Sequence, residues 1–131
     1  MKVKELQIGD LVSYYETSDH EKKIRIESII EEGVNLSGGE ENLDWFDCDK
    51  IQPIPLTAEI LGLNGISEMV YVDENEAPLF ALRKLTKIKG YRLNTYAKQC
   101  NITMNIIYVH ELQHALRLCG LNELADKLKI Q

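Results

Sequence analysis

The first 55 residues break into short runs in which apolar and polar side chains alternate, and a two-residue period of this kind calls for β-strands. Lys23-Ile24-Arg25-Ile26-Glu27-Ser28-Ile29 is the clearest run. Asp10-Leu11-Val12-Ser13-Tyr14-Tyr15 follows a turn at Gly9, and Gly33-Val34-Asn35-Leu36-Ser37 runs into a turn at Gly38-Gly39. Leu43-Asp44-Trp45-Phe46-Asp47-Cys48 is aromatic enough for a further strand. Short strands separated by turns predict a small SH3-like antiparallel β-barrel, with an open curled sheet as the alternative. Trp45 or Phe46 is expected to contribute to its core, since aromatic side chains bury the most area.

Pro53 and Pro55 stiffen the chain at the end of this region and divide it into a β-rich part, residues 1–55, and an α+β part, residues 56–131. Thr57 is placed to cap a short helix through Leu61. Strands are expected at 69–72, from Leu79, and at 101–104, with Lys89-Gly90 turning a hairpin into Tyr91-Arg92-Leu93. A helix starting near Ile106 or Ile107 places Val109, Leu112, Ala115, Leu116 and Cys119 on one face, and Gly120 is a plausible C-terminal stop. Asn122 is a possible cap for a short last helix carrying Leu124 and Leu128. The fold class is therefore α+β: a barrel-like sheet, then an antiparallel sheet packed with one main helix.

With 44 % hydrophobic residues in 131, the chain has enough apolar material for a core that needs no disulfide or metal. Cys48, Cys100 and Cys119 have no paired spacing and read as reduced thiols. No run is apolar and long enough to span a bilayer, and the N-terminal residues turn polar at once, so a cytoplasmic location without membrane contact is expected. The net charge of −6 is uneven. Residues 1–55 carry 13 acidic and 6 basic side chains, whereas 56–131 carry 8 acidic and 9 basic. The first part repels nucleic acid and anionic surfaces; the second does not.

His110-Glu111-Leu112-Gln113-His114 matches the H-E-x-x-H pattern of zinc metallopeptidases. Histidines at i and i+4 share a helix face and can hold one zinc, with the glutamate as general base on a metal-bound water. Three features oppose this reading. With Leu112 at the centre of the apolar face, both histidines fall about 160° away beside Arg117, on a face expected to be solvated. The metzincin continuation requires glycine at Arg117 and histidine at Gly120, and only Glu123 and Asp126 supply later carboxylates. Little chain follows to wall a cleft. Zinc is thus kept only as an alternative cofactor, with none expected, and a zinc-dependent hydrolase using His110, Glu111 and His114 as an alternative function.

A second candidate is the stretch around Arg83, Lys84, Lys87, Lys89, Arg92 and Lys98, interleaved with Phe80, Tyr91 and Tyr96 and free of acidic residues from Ala77 to His110. Cations neutralise phosphates and tyrosine stacks on bases, so weak, salt-sensitive nucleic-acid binding is a second alternative.

Three segments carry a family resemblance: Leu6-Gln7-Ile8-Gly9-Asp10-Leu11-Val12, Ile51-Gln52-Pro53-Ile54-Pro55-Leu56-Thr57-Ala58-Glu59-Ile60-Leu61, and Tyr108-Val109-His110-Glu111-Leu112-Gln113-His114. In this order and spacing the chain resembles small uncharacterised proteins encoded in prophages and mobile elements of gut Bacteroidetes. The resemblance runs nearly end to end, and its motifs are structural and name no reaction. It implies that the positions of Glu111 and His114 more often hold glutamine and asparagine, a form that makes no zinc peptidase site. The leading expectation is an accessory binding or interaction module of a phage or mobile element, with a protein as its partner.

Overall fold

The computed structural model describes residues 5–17, 20–30, 33–36, 45–47, 51–66, 70–72, 78–96 and 101–130. In the first four strands and the sixth the description is of the backbone and, among side chains, of Leu11, Val12, Ser13 and Ile26. The chain is α+β, with two antiparallel sheets and three helices among the described residues. It divides into two compact units, Met1–Ile54 and Pro55–Gln131.

The first unit is built from β1 (Leu11–Thr17), β2 (His20–Ile30), β3 (Gly33–Leu36), β4 (Trp45–Asp47) and β5 (Ile51–Pro53), in the order β4-β3-β2-β1-β5. The long β2 has two neighbours in succession. Its first half pairs with β1, from Thr17 opposite His20 to Leu11 opposite Arg25, and its second half pairs with β3, from Ile26 opposite Leu36 to Ile30 opposite Gly33. A register shift between Ile26 and Ser28 marks the changeover, as a bulge does when it bends a strand. Gly9 N donates to Ile26 O at 2.8 Å and Ile26 N to Asp10 O at 2.9 Å, extending the ladder ahead of β1. Leu11, Val12, Ile26, Ile51 and Ile54 are buried. Pro53 is tolerated because β5 is an edge strand. Among the described residues no ladder joins the edges β4 and β5, so the expected antiparallel sheet is present and no closed barrel is described. The side chains of Trp45 and Phe46, expected in this core, lie outside the described residues.

In the second unit β6 (Val70–Val72), β7 (Pro78–Lys84), β8 (Tyr91–Thr95) and β9 (Thr103–Ile106) form a meander in chain order. Phe80 and Leu82 of β7, Tyr91, Leu93 and Thr95 of β8, and Ile106 of β9 are buried, and the residues between them are half-buried or exposed. One face therefore meets the core, and on the other the described residues are half-buried or exposed. Gly90 closes the β7–β8 loop at φ 107°, with Leu85 N donating to Gly90 O at 3.0 Å. A Cβ there would lie 2.4 Å from the carbonyl oxygen of Ile106, so only glycine lets the loop approach β9 this closely.

Helix α1 (Ala58–Leu63) begins where expected: Thr57 Oγ1 accepts from Ile60 N at 3.2 Å. Helix α2 spans Val109–Leu118 rather than starting at 106 or 107, because β9 continues to Ile106 and the ladder holds those residues extended. It stops in a Schellman turn. Leu121 N reaches Leu116 O at 2.8 Å and Gly120 N reaches Arg117 O at 3.0 Å, with Gly120 at φ 78°. Helix α3 (Asn122–Lys127) has Leu121 in its N-cap position, one residue before the expected Asn122 and without a side-chain cap, and buries Ala125 and the following Leu128; Leu124 is half-buried. Cys119 is buried and in no disulfide, and Cys48 and Cys100 lie outside the described residues. Among the described residues no helix is long and apolar enough to cross a membrane.

Leu116 is fully buried and Leu118, two residues on in the same helix, is 72 % exposed. Leu116→Ala should lower the unfolding free energy by about 2–5 kcal/mol, and Leu118→Ala should change it by no more than about 0.5 kcal/mol, both read by chemical denaturation. Equal losses at the two positions would contradict this placement of α2.

Candidate functional site

Glu111 occupies the third position of α2, and its Oε1 accepts from Ile107 N and Tyr108 N, both at 2.9 Å. These N–H groups precede the helix and have no partner within it. A glutamate at this position reaching back to the N-cap backbone is the reciprocal arm of a capping box, and its negative charge also suits the positive end of the helix. The carboxylate that a metallopeptidase would aim at a bound water is thus turned back along its own chain.

The two histidines are close. Their ring centroids lie 5.4 Å apart, edge to face, and the Tyr108 ring stacks on His110 at 5.8 Å. The expected solvated face is wrong for His110, which is 7 % exposed; His114 is half-buried. The wheel argument assumed one neighbour for the helix, and α2 has a second. Gln113 Nε2 donates to Ala125 O at 3.3 Å and Arg117 pairs with Asp126 at 3.7 Å, so the flank next to His110 on the wheel faces α3. Among the described residues no group of three or more His, Cys, Asp or Glu side chains is placed to hold a metal ion.

The basic stretch lies on the second sheet. Arg83 stands directly opposite Arg92 across β7 and β8, and Arg92 opposite Asn105 across β8 and β9. The next row along the same face is Ala81, Asn94 and Thr103. Arg92 Nε donates to Asn105 Oδ1 at 3.4 Å and Thr103 Oγ1 to Asn94 Oδ1 at 2.8 Å. Tyr96 N bonds Leu79 O, which carries the ladder one residue beyond β8 and leaves Tyr96, 46 % exposed, on this face at the far end from the arginines. Lys84, Lys87 and Lys89 are exposed at the end of β7 and in the loop. Lys98 lies outside the described residues. Asn94, Thr103 and Asn105 were not singled out from the sequence, where only the β7–β8–β9 register reveals that they line up with the arginines.

A separate open cleft of about 490 Å³ is lined by Leu63, Asn64, Leu124, Lys127 and Lys129. Asn64 there exchanges two hydrogen bonds with the backbone of Lys129, at 2.7 and 2.8 Å, which ties the segment after α3 to the end of α1. No family model, curated protein or solved structure matches the chain.

If Glu111 serves the helix, Glu111→Ala should lower stability by about 1 kcal/mol, within the usual range for a capping feature. Glu111→Gln, which keeps an acceptor oxygen, should retain more than half of that. Thermal and denaturant unfolding of both variants measures this; two variants with wild-type stability would contradict the capping role.

Proposed function

We propose that the chain is a binding module, an accessory protein of a phage or mobile element rather than an enzyme, and that its contact surface is the open face of the second sheet. One observation carries this reading. Like charges placed directly opposite in a strand pair destabilise a sheet, yet Arg83 and Arg92 are so placed. Neither forms an ion pair among the described residues, and no acidic residue occurs between Ala77 and His110. An anionic partner would remove that repulsion, which no acidic side chain offsets among the described residues.

Two further points support the reading. Glu111 is engaged in capping, which leaves the H-E-x-x-H match without its general base. Glutamine at this position, which the prophage resemblance implies, performs the same capping task. The first unit reads as SH3-like: its order β5-β1-β2-β3-β4, with a long bent β2 shared between two pairings, is the strand order of such barrels, which commonly serve as interaction modules.

The test is retention on immobilised heparin at low salt. The wild-type chain should be retained despite its net charge of −6. Arg83→Glu/Arg92→Glu should flow through, while Lys127→Glu/Lys129→Glu, an equal change of charge elsewhere, should be retained as before. Failure of the wild type to bind, or equal loss in both double variants, would overturn the assignment.

A further inference from the structure

We infer that the partner of this face is single-stranded nucleic acid, with Arg83 and Arg92 on a phosphate and Tyr96 stacked on a base; the inference rests on the binding surface proposed above. The face is graded. At the loop end it is cationic, with the Arg83–Arg92 pair, and Lys87 and Lys89 are exposed in the loop that follows β7. Asn105 shares the row of the arginines, and the next row carries the neutral amide of Asn94 and the hydroxyl of Thr103. At the far end it presents the ring of Tyr96.

Each part matches one part of a nucleotide strand. The 3.4 Å bond from Arg92 Nε to Asn105 uses one of five guanidinium N–H donors, which leaves the others for a phosphate oxygen. Arg83 opposite supplies a second fork for the same phosphate. From Arg92 to Tyr96 along β8 is four residues, on the order of 13 Å in an extended strand, so a strand of a few nucleotides spans the gradient. The amide of Asn94 and the hydroxyl of Thr103 between the two ends suit the uncharged edges of bases. An open four-stranded sheet is a surface on which unstacked bases can lie, and an exposed tyrosine contributes stacking without regard to sequence.

The same gradient argues against two other anions. A duplex hides the base faces that Tyr96 would stack on. An acidic peptide calls for cations along the whole row, whereas here they occupy one end.

Fluorescence anisotropy of a labelled 12-nucleotide single strand of mixed sequence, as DNA and as RNA, tests the proposal. The competitors are the matching duplex and a polyglutamate peptide, at equal ionic strength with the full chain. The single strand should bind best. Tyr96→Ala should weaken the single strand by about tenfold, the lower range of base–aromatic stacking, and leave polyglutamate unaffected. Arg83→Gln/Arg92→Gln should weaken every polyanion and lower the salt slope by about 0.7, the release expected for one phosphate. Circular dichroism melting shows that the variants remain folded. If polyglutamate competes as well as the oligonucleotide and Tyr96→Ala changes nothing, the partner is an acidic protein and this inference fails while the binding surface stands. If no polyanion binds, both fail.

Discussion

The two-residue alternation of β8, locked in register between β7 and β9, is the constraint on which the second unit depends. Tyr91, Leu93 and Thr95 are buried and Arg92 and Asn94 are not. A slip of one residue would turn the arginine and the asparagine into the core and Leu93 to solvent. With the register held, the inner face presents Phe80, Leu82, Leu93 and Ile106 to the core, and the amphipathic α2 contributes Leu112 and Leu116 to it. The outer face then carries Ala81 and a row of polar residues, and it sets Arg83 against Arg92. The same alternation that builds the core therefore also assembles the candidate binding surface.

How much of this was legible in the sequence depends on the range of the interaction. Local signals sufficed for the cap at Thr57, the stop at Gly120 and the hairpin turning near Lys89-Gly90, since each is set by neighbouring residues. The short strand β5 was missed because Ile51–Pro53 is too brief to show a period and contains proline. The start of α2 was placed two or three residues early because Ile106 suits a helix face and a strand equally well, and only pairing with Tyr91 decides. The burial of His110 was out of reach for a related reason: a helical wheel describes one helix and takes no account of α3 against its flank.

The H-E-x-x-H match illustrates how one spacing satisfies two physical demands. A glutamate one residue after a histidine near a helix start can face a metal-bound water or reach back to free N–H groups. The five residues are identical in the two cases. Here the distinction lies in where the helix begins: with the N-cap at Tyr108, Glu111 falls at the third helical position, where reaching back is favoured.

The central claim is that the partner meets the open face of the second sheet, at the arginine pair and beyond it. Backbone amide chemical shifts of the full chain, followed during titration with a single-stranded oligonucleotide, test it most directly. The account predicts perturbations concentrated at Ala81, Arg83, Arg92, Asn94, Tyr96, Thr103 and Asn105, with Leu112 and Leu116 little changed. Perturbations centred on the first unit, or on His110, Glu111 and His114, would contradict it.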